Sequence, residues 1–148
     1  MTTTKILASF DFSEAAGRAL SCAHQLAQAS AAKLEVIHVH PELYDGRGTP
    51  ELGLPWPSAG QEERYLRFLA QELKTAIASL VGAEAAEHIV VWVEHGDPVK
   101  RVLAVADRTG ADMLCVGATG KGAVQRVMLG SVSESLLRRS TMPVLIVH

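Results

Sequence analysis

The chain is poor in cysteine, in aromatic residues and in runs of like charge, and each shortage closes off a class of function. Its two cysteines are Cys22, in a helical pattern, and Cys115, inside an apolar run, and neither has a His or Cys neighbour at metal-ligand spacing. They read as small core hydrophobes rather than as a disulfide framework or a metal site. A formal net charge of −2 with no basic run argues against a nucleic-acid partner. No apolar stretch is long enough to cross a bilayer, and Met1-Thr2-Thr3-Thr4-Lys5 leads into a short strand pattern rather than a secretory h-region. No membrane association is expected, and the cytoplasm is the expected location. Three catalytic or phosphate signatures are also missing. Lys121 is followed by Gly122, where a P-loop requires Ser or Thr. The first strand-to-helix turn, Ser9-Phe10-Asp11-Phe12-Ser13, has no glycine for a dinucleotide fingerprint. A nucleophile elbow after Gly130 would need Ser at 132, which is Val132.

What is present is a regular alternation of strand and helix patterns. Ile6 to Phe10 reads as the first strand, followed by a helix capped by Asp11 or Ser13, with Ala16, Ala19, Leu20, Ala23, Leu26 and Ala27 as its inner stripe. Leu34 to Val39 is the second strand. The segment 41–60 holds four of the six prolines and breaks all periodicity, as functional or variable loops do; Leu52, Leu54 and Trp56 suggest that part of it packs down. Ser58-Ala59-Gly60-Gln61 fits a capping box before a helix with Leu66, Leu69, Leu73, Ala76, Ile77 and Leu80 inward. Ile89 to Val93 is the third strand. Asp97-Pro98 starts the next helix, Gly110 stops it, and Asp112 introduces the fourth strand, Met113 to Val116. A helix from about Ser131 to Arg139 and a fifth strand, Val144 to Val147, complete the pattern.

Apolar rather than alternating strands, separated by helices, predict a parallel sheet covered on both faces. Right-handed crossovers with helices on both sides require the winding to reverse, and the order 3-2-1-4-5 does so between the first and fourth strands. The expected fold is therefore one α/β, Rossmann-like domain over residues 1–148, with 41–60 as a variable loop. Ligands of such folds bind outside the carboxyl ends of the strands at the switch point, and here those ends are Asp11 and Gly117.

Gly117-Ala118-Thr119-Gly120-Lys121-Gly122 follows the fourth strand, and Gly130-Ser131 opens the last helix. Bare backbone N–H groups at a helix N-terminus favour phosphate oxygens, Lys121 adds a charge and Ser131 a hydroxyl. A carboxylate beside such a cradle, Asp11, can accept from ribose hydroxyls or an adenine amine, or hold magnesium through water. The ligand this predicts is a nucleotide. The plain alternatives are that the glycines only make turns and that Asp11 only caps its helix.

At this point the residues resemble a known family. Gly117-x-x-Gly120, nine residues, then Gly130-Ser131 matches the ATP-binding signature of the universal stress proteins. Leu7-Ala8-Ser9-Phe10-Asp11-Phe12-Ser13, His38-Val39, Gly96-Asp97-Pro98 and Met142-Pro143-Val144-Leu145-Ile146-Val147 are similar to its flanking segments. The resemblance covers nearly the whole chain and implies an adenine-nucleotide alpha hydrolase-like fold with ATP, accompanied by Mg2+, as cofactor. It implies that Asp11, with Ser9 before it, contacts the adenosine part and that Val39 presents its backbone to adenine. Gly117 and Gly120 would line ribose and phosphates, and Gly130, Ser131, Val132 and Ser133 would bind phosphate beside Lys121. Ala118-Thr119 departs from the family, many members of which carry serine followed by histidine or arginine there. Phe10 is bulkier than the family leads one to expect.

The fifth strand would be a sheet edge with no charge to protect it, which invites antiparallel pairing with a second copy and a twofold homodimer. The family is typically dimeric in this way. No residue declares itself as a catalytic base, so ATP turnover is expected to be weak at most. The leading expectation is a nucleotide-dependent regulatory module in stress response, read by a protein partner of unknown identity. The alternatives are a slow ATPase or autophosphorylating enzyme, with Ser131 or Ser133 as acceptor, and a ligand-free dimeric scaffold.

Overall fold

The computed structural model describes residues 3–40, 62–119 and 129–148. Five parallel strands, β1 (Lys5–Ser9), β2 (Lys33–His40), β3 (Val90–His95), β4 (Met113–Gly117) and β5 (Val144–Val147), form one sheet in the order β3-β2-β1-β4-β5. The switch of winding therefore lies between β1 and β4, as the crossover argument requires. The described helices are α1 (Glu14–Ser30), α2 (Glu62–Val81), α3 (Ala83–Glu87), α4 (Pro98–Thr109) and α5 (Ser131–Arg139).

The sheet separates two apolar layers. On one face Ile6, Ala8, Phe10, Leu34, Val36 and Cys115 pack against the alanines of α1 and against Leu73 and Ile77 of α2. On the other, Leu7, Ile37, Leu114 and Val116 meet Val99, Val102 and Val105 of α4 and Leu136 of α5. Small residues let α1 lie close: Ala15, Ala16, Ala19, Ala23 and Ala27 are buried. Phe10, whose size is unusual for its position, is absorbed because it turns into this first layer, 4% exposed.

Several local expectations change. Of the two candidate caps of α1, Ser13 is the cap, its Oγ accepting from the Ala16 amide at 3.1 Å. Asp11 stands two residues earlier and accepts from the Ser13 amide at 3.0 Å. Strand limits shift by one or two residues, because backbone pairing runs past the end of the apolar run in β2 and β3. The inner stripe of α2 is Tyr65, Leu69, Leu73 and Ile77; Leu66 is only part-buried and Leu80 is 41% exposed, because Leu80 turns toward Gly17 of α1 at the rim of a groove rather than into the core. The short α3 was not expected from the sequence pattern. Cys22 is not core either: it is part-buried and lines an open groove between α1 and α2, since its position on α1 faces α2 rather than the sheet. Cys115 is fully buried, donates to the Ala19 carbonyl at 3.2 Å, and its pKa is pushed up to about 12 by burial, with Cys22 adding to the rise. The segment 41–60, its packing residues Leu52, Leu54 and Trp56, and the capping box over Ser58 to Gln61 lie outside the described residues.

The start of α4 follows the expected pattern. Asp97 caps it by accepting from the Lys100 amide at 2.8 Å, and Pro98 occupies the first turn. Gly96 before it holds φ +116°, a value that only glycine adopts without strain, while its amide donates to the His40 carbonyl at 2.9 Å.

Candidate functional site

The carboxyl ends of β1, β2 and β4 converge on the switch point, and each is shaped by an identifiable bond. The ladder between β1 and β2 ends at the Ser9 and Ile37 pair, where the Phe10 amide donates to the Ile37 carbonyl at 2.8 Å. A residue in a parallel strand turns its N–H and C=O to one neighbour, and the next residue turns them to the other. Ile37 faces β1, so Val39, two residues on, also faces the β1 side. There β1 has already left the sheet, and no further rung joins the two strands. Backbone donors and acceptors of Val39 are therefore directed at the space beside Asp11.

At the end of β4, the Ala118 amide donates to the Val147 carbonyl and its own carbonyl accepts from the Gly130 amide, both at 2.7 Å. The second bond ties the residue before α5 to the residue after β4. It brings Gly130-Ser131 next to Gly117 despite the gap in sequence. Ala118 is 1% exposed, so its departure from the family pattern removes a polar group from a buried position.

The two described glycines of the signature have different reasons to be glycine. A Cβ on Gly117 would sit 2.7 Å from the Ala15 carbonyl carbon and the Ala16 amide nitrogen, so this glycine lets β4 pass the N-terminus of α1. Gly130 is the N-cap of α5 with φ −64° and ψ 151°, which any residue adopts. Among the described residues no side chain caps the first amides of α5, which stand at the positive end of the helix dipole.

Ser131 is exposed at that end and Val132 packs partly into the α4 layer. Ser133 is 5% exposed, and its hydroxyl donates to the Gly117 carbonyl at 2.7 Å. Its hydroxyl thus joins α5 to β4. Asp11 uses Oδ1 for the Ser13 amide. Ser9, as the last residue of β1, completes the floor. Gly120 and Lys121 lie outside the described residues. Among the described residues no group of three or more His, Cys, Asp or Glu side chains could hold a metal ion.

Sequence reasoning assigned no role to three residues beside this site. Phe12 takes φ 64°, uncommon for a large side chain. Its ring packs edge-on to Phe10 at 5.2 Å and to His38 at 5.0 Å between centroids. His38 is buried and its Nδ1 lies 2.8 Å from the Phe10 carbonyl. Tyr65 of α2 meets His40 at 5.6 Å and extends the ring cluster. The available signal was a pair of histidines alternating at the carboxyl end of a mostly apolar strand.

A five-stranded parallel sheet whose winding reverses between β1 and β4, with helices on both faces, defines the class: a Rossmann-like α/β protein. The family model described as the universal stress protein family matches residues 2–148, and the chain belongs to that family. A universal stress protein of Thermus aquaticus is 30% identical over 143 residues, covering 97% of both chains. The universal stress protein MJ0577 of Methanocaldococcus jannaschii is 29% identical over 156 residues, 97% of this chain and 93% of its own. Its solved structure superposes with a TM-score of 0.73 over 99% of this chain and 96% of the other. A universal stress protein solved in complex with cAMP, 26% identical, superposes with a TM-score of 0.64 over 100% of this chain and 98% of the other. Among the described residues no helix is long and apolar enough to cross a membrane.

Proposed function

We propose that this universal stress protein binds an adenine nucleotide, ATP in the first instance, at the β1/β4 switch point, and acts as a nucleotide-dependent regulatory module. The observation that carries the reading is the first turn of α5: its N-cap is a glycine with no conformational need to be one, held at the end of β4 by the Ala118 bond. The residues present fit the group. The α5 amides of Ser131, Val132 and Ser133 would take phosphate oxygens, with Gly120 and Lys121 alongside. Gly117 and Ser9 would form the floor, Asp11 would accept from ribose, and Val39 would read the base with its backbone. Mg2+ would be held by phosphate oxygens and reached by Asp11 through water, as suits an ion that keeps much of its hydration shell. The relative whose structure contains cAMP supports an adenine ligand for this fold.

The rest of the reading follows from the same frame. Residues 1–148 act as one domain in the cytoplasm, with 41–60 as its variable segment. β5 is the sheet edge and each of its residues is only part-buried, which suits pairing with the β5 of a second copy. Nucleotide occupancy would then be read by a protein partner through the dimer. Slow hydrolysis or self-phosphorylation is the second reading. The exposed Ser131 hydroxyl favours it more than the buried Ser133 hydroxyl, which already donates to the Gly117 carbonyl.

Denaturing the purified protein and identifying the released small molecule by chromatography and mass tests the site. Adenine nucleotide near one per chain, without phosphate release on incubation, is the expected result. An empty protein whose melting temperature does not respond to added ATP overturns the reading and leaves a ligand-free scaffold.

A further inference from the structure

Phe10 sits where β1 would make one more rung with β2. Its amide donates to Ile37, and in a continuing parallel ladder its carbonyl would accept from the Val39 amide. Instead that carbonyl accepts from the His38 imidazole at 2.8 Å. A carbonyl cannot donate, so Nδ1 carries the proton. A buried side chain has taken the acceptor that the next backbone rung would use, and the Phe12 ring, 5.0 Å away, packs against that imidazole.

We infer that His38 is a positioning residue: by holding the Phe10 carbonyl in place of Val39, it keeps the Val39 N–H open for a ring nitrogen of an adenine-type base. The inference rests on the nucleotide reading for its ligand and on the observed bond for its device. Adenine offers an acceptor nitrogen beside a donor amine, matching a backbone N–H and C=O on one side of a strand. Guanine offers the reverse pattern. His38 thus bears on base discrimination although its own ring faces the α1/α2 layer rather than the ligand.

Removing the imidazole leaves the buried Phe10 carbonyl without a donor, and the nearest in register is the Val39 amide. In His38→Leu the extra rung should form and close the reading edge. His38→Asn places an amide nitrogen near the position of Nδ1 and should restore the original arrangement. Calorimetric titration with ATP and GTP reads the consequence. His38→Leu should lose about tenfold in ATP affinity, one hydrogen bond's share, with GTP affinity unchanged, and His38→Asn should recover most of the loss. Equal losses for ATP and GTP, or wild-type ATP affinity in a folded His38→Leu, overturn the proposal.

Amide hydrogen exchange tests the device without nucleotide. In the wild-type protein the Val39 amide should exchange faster than that of Ile37, and in His38→Leu it should become protected. A Val39 amide as protected as Ile37 in the wild type overturns the proposal even if the variant does not fold. If the wild-type protein binds no nucleotide but Val39 exchange responds as expected, the ligand reading fails and the rung substitution stands.

Discussion

The two ends of the sheet are built on opposite terms. At the amino end the strands are tied to their neighbours by a network of polar bonds. Asp112 accepts from the Thr4 amide at 2.8 Å, the Thr4 hydroxyl at 2.7 Å and the Lys5 amide at 3.3 Å, and its own amide donates to the Lys5 carbonyl. The Lys5 ammonium donates to the Thr109 carbonyl at 2.6 Å and pairs with Glu35 at 3.1 Å, and Glu35 accepts from the Trp92 indole at 2.7 Å. These bonds join β1, β2, β3 and the α4–β4 turn. At the carboxyl end the Val39 backbone faces away from any rung, and the first turn of α5 has a cap without a side chain. One end therefore closes its polar groups internally, whereas the other leaves the Val39 backbone facing β1 without a rung. A fold of marginal stability can hold such an open end only because the opposite end and the two apolar layers fix the frame.

The comparison breaks first at Gly130. Gly130→Val keeps an allowed backbone but covers the open amides, so nucleotide affinity should fall at least about a hundredfold, a loss of roughly 3 kcal/mol. The melting temperature without ligand should stay near that of the wild type. Calorimetric titration with ATP and thermal melting separate the two, and unchanged affinity would refute the phosphate assignment. Gly117→Ala is the reverse case. Its Cβ would press on the α1 backbone at 2.7 Å, so the expected loss is in stability, about 1–3 kcal/mol as in other overpacked sites. Urea unfolding measures it; a variant as stable as the wild type would show that α1 can move aside.

How much of this could be read from the sequence depends on the range of the interaction. The sheet order was legible because strand apolarity and crossover handedness are general constraints, and the pairing of β1 with β4 followed from that order. The Asp97-Pro98 start was legible because a cap and its helix are local. The different reasons for Gly117 and Gly130 were not, because one depends on Ala15 and Ala16 about a hundred residues away. Nor was the commitment of Ser133 to Gly117, which needs the α5 axis to be placed. Cys22 and Leu80 were misjudged for a related reason. Periodicity tells which residues share a helix face but not which neighbour that face meets.

Lys121→Ala sharpens the comparison from the ligand side. A single ammonium beside phosphate in water contributes about 1 kcal/mol, so ATP affinity should fall about fivefold, less so at high salt. Complete loss would assign Lys121 a larger part than charge alone. Cysteine labelling probes the frame at similarly small scale. Cys22 should react with a thiol reagent in the native protein, whereas Cys115, buried and with its pKa raised to about 12, should react only on unfolding. Two fast-reacting thiols in the folded protein would show that the β4 layer opens more readily than its packing indicates.

The smallest effect belongs to the closed end. The Thr4 hydroxyl, then the Thr4 amide, hold the Asp112 carboxyl below its usual pKa. Because the folded value lies below the unfolded one, the carboxylate adds stability above the ordinary carboxylate range, and that share disappears as pH falls through the folded value. Asp112→Asn should therefore melt a few degrees below the wild type at neutral pH, and the gap should narrow toward about pH 2, where both proteins carry an uncharged group. Nucleotide affinity at neutral pH should be the same in both, since the bonds of Asp112 lie at the far end of β1 and β4. A gap that persists unchanged in acid would mean that the hydrogen bonds, rather than the charge, hold the amino end together. Altered ATP affinity would mean that the two ends communicate along β1.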